Sequence, residues 1–183
     1  MRKLVGMDRR GFTLIEVIVV AAIIAILAGI LVPMIFNQID ESKIAKARGD
    51  SKTIQTALMM FRKDNSCFPN RTNGADPATN TIQVLFSEGN VIADLASKGW
   101  DGANNQMLNH LRLNDNGYSA ALWKGPYLAT ADADPWGNRY MIGAKNFDGT
   151  GPVWILSAGP DGIIQTGIDD DVLSGDDVGL RLK

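Results

Sequence analysis

Between Phe12 and Phe36 the chain runs for 25 residues with a single charge, Glu16, near the start of the run. At about 1.5 Å per residue a helix of that length reaches roughly 37 Å, enough to cross a hydrocarbon layer of about 30 Å. The run is rich in β-branched residues, but a segment in lipid must satisfy its own backbone, which favours helix over strand. Arg2, Lys3, Arg9 and Arg10 stand before it against Asp8. Such a basic flank stays in the cytoplasm and leaves the long C-terminal part outside. A cleaved secretory signal fits less well, because its apolar region is about 7–15 residues long and is followed by an Ala-x-Ala-like site. A plain membrane anchor would explain the hydropathy but not Glu16. A carboxylate within an apolar helix costs about 2.5–3.5 kcal/mol on insertion scales, so such an acid has a partner and a role.

The string Arg10-Gly11-Phe12-Thr13-Leu14-Ile15-Glu16 resembles the class III signal of type IV pilins and pseudopilins. That resemblance implies cleavage between Gly11 and Phe12 by a prepilin peptidase and methylation of the new N-terminal Phe12. It also makes Glu16 the acid that guides assembly, and it puts Pro33 where helices of this family carry a proline. Cleavage would create a positive α-amino group at Phe12, which Glu16 of a neighbouring subunit could neutralise in a low-dielectric bundle. Without such a partner the carboxylate would take up a proton in lipid. Pro33 should kink the helix or open a backbone hydrogen bond, with Gly29 adding local freedom.

The 183 residues suit one globular domain plus the helix. The leader of residues 1–11 has four basic residues and one acid; the remainder has 14 basic and 19 acidic residues, a net charge of −5. That balance is no footprint for nucleic acid. Cys67 is the single cysteine, so no intramolecular disulfide forms, and it reads as a small, partly buried apolar residue. His110 is the single histidine; among Asn109, Leu111 and Arg112 it reads as a surface residue, and it cannot form a zinc site by itself. No Ser/His/Asp or Cys/His set and no Gly-rich phosphate loop can be assembled, so the chain reads as a structural subunit and not an enzyme.

The helix should continue through residues 37–65 as an amphipathic segment, because Ala47, Ile54, Leu58 and Phe61 are spaced seven, four and three apart and make one stripe. Turn chemistry around Pro69 to Pro77 ends it near Asp64-Asn65. Residues 82–88, 92–98 and 106–113 read as short helices in a connection that carries little other signal. Beyond Trp123, residues 125–128, 134–140 and 153–157 read as short strands separated by turns, with Trp136 folded inward at the Pro135/Gly137 turn. Two or three antiparallel strands on the helical stripe give an α+β architecture: a long N-terminal helix, its first half transmembrane, on a small sheet. Residues 66–183 would form the periplasmic headpiece. The strings Asp64-Asn65-Ser66-Cys67-Phe68-Pro69, Gly125-Pro126-Tyr127-Leu128 and Asp134-Pro135-Trp136-Gly137-Asn138-Arg139-Tyr140 resemble the major pseudopilins of type II secretion.

Residues 161–177 hold six carboxylates, at Asp161, Asp169, Asp170, Asp171, Asp176 and Asp177, interleaved with glycine. Read plainly this is a solvated acidic tail. Read functionally it is a loop for a hard cation, since calcium takes about 6–8 oxygen ligands including backbone carbonyls; the spacing is not that of an EF-hand. Ser157-Ala158-Gly159-Pro160-Asp161-Gly162 followed by paired Asp and an aliphatic residue resembles the pseudopilin calcium loop. That resemblance implies Ca²⁺ held by Asp161, Asp170 and Asp171 with the Ala158 carbonyl, Asp169 being an added acid. Asp176-Asp177 is an alternative pair. The family reading further implies a homopolymeric periplasmic fibre assembled at the inner membrane with minor pseudopilins and an assembly platform. A surface type IV pilin shares the N-terminus but favours a C-terminal disulfide. A membrane-anchored calcium-binding domain would need only the helix.

Overall fold

The computed structural model describes residues 11–100 and 105–183. The basic leader of residues 1–10 lies outside the described residues. The chain divides into two compact units that meet between Glu41 and Ser42.

In the first unit, α1 (Leu14–Asn65) begins just after Thr13. Every side chain from Gly11 to Ser42 is exposed. Among the described residues α1 is the one helix long and apolar enough to cross a membrane, and its apolar stretch has no burial within the chain. That separates it from the core helix of a soluble domain: its covering must come from lipid or from other helices. α1 runs through Pro33 without interruption. The proline ring still removes the N–H that would bond the Gly29 carbonyl one turn earlier.

The second unit takes the rest of α1 and builds a sheet from β1 (Val84–Phe86), β2 (Asn105–Gln106), β3 (Met141–Gly143), β4 (Trp154–Ser157) and β5 (Val178–Arg181), with α2 (Met107–Leu111) following β2. The strand order is β2-β1-β3-β4-β5. Four strands pair antiparallel, Leu85 opposite Ile142, Ile142 opposite Ile155 and Ile155 opposite Leu180, while the edge strand β2 runs parallel to β1. The α+β class is as expected, and the sheet is larger and mixed.

Strand alternation sends successive side chains to opposite faces. Leu85, Ile142 and Ile155 join the helical stripe, with Ala47, Ile54, Leu58 and Phe61 all buried beside them. Val84, Phe86, Met141, Trp154 and Leu156 point the other way, into a second core with Trp100, Ala158, Ile164 and Ile168. Both faces are covered, so β1, β3 and β4 read as continuous apolar runs, without a polar side. That explains the misreading of residues 82–88 as helix: a run of three buried residues carries no period to separate the two. Residues 96–98 form a 3-10 turn and residues 107–111 a true helix.

The stretch between helix and sheet is no loose connection. It supplies the interior strand β1, between β2 and β3, and Trp100 is buried with its Nε1 donating to the Thr166 carbonyl at 2.8 Å. His110 is buried too, contrary to the surface reading. It lies 1 % exposed with Nδ1 3.0 Å from the Tyr118 hydroxyl, and burial holds its pKa down at about 4. Residues 125–128 are not a strand: the Tyr127 and Leu128 N–H groups both donate to the Leu111 carbonyl, and Tyr127 meets Phe61 edge to face. Cys67 is half-buried against the first core, as expected.

Candidate functional sites at the N-terminus and in the C-terminal loop

At the N-terminus Gly11 and Phe12 precede the helix and are open to solvent, Phe12 being 88 % exposed. Thr13 caps the helix, its Oγ1 accepting from the Glu16 N–H at 3.3 Å. Glu16 reaches back, and its Oε2 accepts from the Thr13 N–H and the Thr13 hydroxyl, each at 2.8 Å. Two helix-end donors are thereby satisfied reciprocally, as in a capping box. Glu16 thus has a partner inside its own chain. The signal for it, Thr13-x-x-Glu16 before an apolar run, is present in the sequence.

At the other end, the loop between β4 and β5 is fastened at its root by Asp134, a buried acid that the sequence reading passed over. Its Oδ1 accepts from the Trp136 and Asn138 N–H groups at 2.9 and 2.8 Å, closing the Pro135–Gly137 turn. Its Oδ2 accepts from the Ser157 hydroxyl at 2.5 Å, and the Ser157 Oγ accepts in turn from the Gly159 N–H. Asp followed by Pro, and two residues later by Gly, is the Asx-turn signal that marks it. Trp136 is half-buried against the first core.

The six loop acids separate into two groups. Asp169 is held by Asn146 and by Lys145 at 3.0 Å, which lower its pKa. Asp170 Oδ2 accepts from the Gly167 N–H at 2.7 Å, and its carbonyl takes the Trp154 Nε1. Asp171 pairs with Arg181 at 3.1 Å. Asp161, Asp176 and Asp177 lie together instead. The Asp161 N–H donates to Asp176 Oδ2 at 3.4 Å, and Asp177 Oδ2 accepts from the Gln165 and Thr166 N–H groups at 3.1 and 2.6 Å. Asp177 is buried; its burial raises the carboxyl pKa against the pull of the Thr166 and Gln165 donors. Asp176 Oδ1 and Asp177 Oδ1 are buried with no hydrogen-bond partner. Buried acceptors left unpaired are costly and call for a cation or water. Ala158, wholly buried, follows β4 directly. Gly159 adopts φ +64°, and a Cβ there would meet the Asp176 carbonyl oxygen, so this turn has room for glycine alone. Among the described residues no three His, Cys, Asp or Glu side chains are grouped to hold a metal ion. A cation in this loop would therefore draw part of its shell from amide or backbone oxygens.

An apolar N-terminal helix that opens on a capped acid, in a chain that also folds a small sheet on the rest of that helix, defines a pilin-like class of protein. The family described as "Prokaryotic N-terminal methylation motif" matches residues 6–32. A second family, "Type II secretion system (T2SS), protein G", matches residues 102–174. The chain is 33 % identical to the type II secretion system core protein G of Pseudomonas aeruginosa over 159 residues, 85 % of this chain and 89 % of that one. It is 30 % identical to the core protein G of Escherichia coli K12, covering 90 % of this chain and 89 % of that one. The chain belongs to the type II secretion system core protein G family. No solved structure gives a significant match.

Proposed function

We propose that this chain is the major pseudopilin of a type II secretion system, cut between Gly11 and Phe12, methylated at Phe12 and polymerised into a periplasmic pseudopilus. The observation that carries this reading is the match to core protein G along most of both chains. The bare, single apolar helix supports it: a surface with no cover inside the chain is suited to pass from lipid into a bundle of like helices. The N-terminus would stay cytoplasmic and the headpiece periplasmic, with minor pseudopilins and the inner-membrane assembly platform as partners. The role is structural, and polymerisation takes the place of catalysis. Glu16 would leave Thr13 for the Phe12 amine of a neighbour, so Glu16→Ala should insert normally and assemble poorly.

The same reading includes Ca²⁺ in the C-terminal loop, where Asp176 and Asp177 would share it with backbone oxygens such as the Ala158 carbonyl, Asp161 standing beside them already hydrogen-bonded by the Ile163 N–H and Gln165 Nε2. The unpartnered oxygens of Asp176 and Asp177 support this pair over Asp170 and Asp171, which already have partners. Asp169 serves as a tie to Lys145 and Asn146. Bound Ca²⁺ would supply the positive charge that the buried Asp177 and the half-buried Asp176 lack.

The test is deletion of the gene in its host, scored for secreted enzymes and for surface fibres. Loss of secretion with fibres intact, restored by the wild-type gene, is the expected result. Loss of surface fibres with normal secretion would replace it with the type IV pilin reading.

A further inference from the structure

Away from both ends described above, residues 80–83 and the turn Ala144–Asn146 border a polar cleft of about 400 Å³. Asn70 lines it, 4 % exposed, with its Oδ1 buried and without a hydrogen-bond partner. The other end of that amide fixes its orientation: Nδ2 donates to Asp148 Oδ2 at 2.7 Å, and Asn80 Nδ2 donates to the same oxygen at 2.9 Å. Asp148 is exposed, held by both amides, and joins no ion pair among the described residues. The neighbouring cations are committed elsewhere. Lys145 pairs with Asp169, Arg71 donates to Asn80 Oδ1 and the Gly74 carbonyl, and Lys183 donates to the Gly149 carbonyl. What the cleft lacks is a donor for a carboxylate and an adjacent amide oxygen at once, which is the chemistry of a cationic N–H group. A water could satisfy Asn70 Oδ1 but would leave the charge of Asp148 unpaired.

The opposite need stands on the solvent face of α1. Arg48 and Lys52 are exposed, four residues apart, and among the described residues neither side chain has a hydrogen bond or an ion pair. Like charges at that spacing repel. The acid between them, Asp50, is taken by Lys46 at 3.3 Å and by the Tyr140 hydroxyl at 2.9 Å. The imbalance is general: residues 43–63 hold six basic residues and one acid, whereas residues 66–183 hold eight basic and fourteen acidic residues. A helix segment with spare cations and a headpiece with spare acids are complementary between copies.

We propose that the Asn70–Asp148 cleft receives the side-chain cation of Lys52 or Arg48 from a second copy of this chain, an inference that rests on the pseudopilin reading above. Asp148 supplies the counter-charge and Asn70 Oδ1 a second acceptor. The two surfaces are different patches of the chain, so the contact is heterologous. Such a contact repeats from copy to copy and suits an open fibre rather than a closed dimer.

The experiment uses the full chain in envelopes of its native host. Zero-length carbodiimide coupling should give dimers in which a peptide holding Lys52 is joined to one holding Asp148; where Arg48 is the occupant, Arg48→Lys should give the link from position 48. Asp148→Lys, or Arg48→Glu together with Lys52→Glu, should lower the yield of multimers on the order of tenfold, and combining all three should restore most of it. Should Asp148→Lys melt lower than wild type, Asp148→Asn takes its place: it keeps an acceptor for both amides and should still reduce the yield. If neither link forms, or if the combined variant assembles no better than its parents, the contact is overturned while the pseudopilin reading stands. A link from Asp148 to a different protein would overturn the second copy as the source of the cation. Absence of multimers from the wild-type chain would remove the pseudopilin reading itself.

Discussion

The two units of this chain use apolar residues in opposite ways. From Gly11 to Glu41 the side chains are overwhelmingly apolar and all exposed, and the backbone is satisfied within the helix. From Ser42 onward nearly every large apolar side chain of the sheet is buried, on one face against the helical stripe and on the other against the C-terminal loop. Hydrophobic content alone therefore says little about where a protein's stability comes from. In the first unit the favourable transfer is deferred to lipid or to neighbouring helices; in the second it is collected within the chain.

The comparison is sharpened most by processing. Gly11→Leu should leave uncut precursor in the membrane, whereas wild type should yield a chain starting at N-methyl-Phe12. Intact mass of protein from the native host reads both, and a mature wild-type chain that retains Met1 would sink the pilin-like account. Next come matched deletions. Phe61, wholly buried with its ring edge-on to Tyr118 and Tyr127, should cost about 3–5 kcal/mol of headpiece stability as Phe61→Ala. Ile24→Ala removes apolar bulk from the exposed unit and should leave headpiece melting unchanged, within about 0.5 kcal/mol. Equal losses at the two sites, in denaturant titrations of the full chain in detergent, would abolish the distinction drawn here.

His110 provides a pH test confined to the headpiece. Its folded pKa of about 4 lies below the ordinary value of 6.5 because burial disfavours the charged ring. Between those values the unfolded chain binds a proton that the folded chain refuses. Stability is therefore full above about pH 6.5 and falls as pH drops toward 4, by roughly 3 kcal/mol at most. His110→Gln should flatten that part of the pH profile whatever its absolute stability; an unchanged slope would mean other groups produce it. The smallest effect belongs to the helix start. Thr13→Ala removes the cap and should loosen the first turn by about 0.5–2 kcal/mol, which amide exchange at Ile15 to Val17 would detect. Thr13→Ser should retain protection, since it keeps the hydroxyl that meets Glu16.

Much was legible before any coordinates because it rests on local rules. The apolar run, the Gly11-Phe12 junction, Glu16, the stripe of Ala47, Ile54, Leu58 and Phe61, and the end of the helix at Asn65 follow from hydropathy, periodicity and turn chemistry. They depend on residues near one another in the chain. The C-terminal acids could be counted but not sorted, since Asp169, Asp170 and Asp171 share one composition with Asp176 and Asp177. Only the tertiary structure decided that Lys145, Asn146 and Arg181 claim members of the first set, while the fold buries Asp177 beside Gln165. Likewise β1 and β5, the buried His110 and the role of Asp134 depend on partners 8 to 59 residues away. A sheet covered on both faces erases the alternation that would reveal its strands, and a carboxylate's neighbours across the fold leave no mark on the sequence around it.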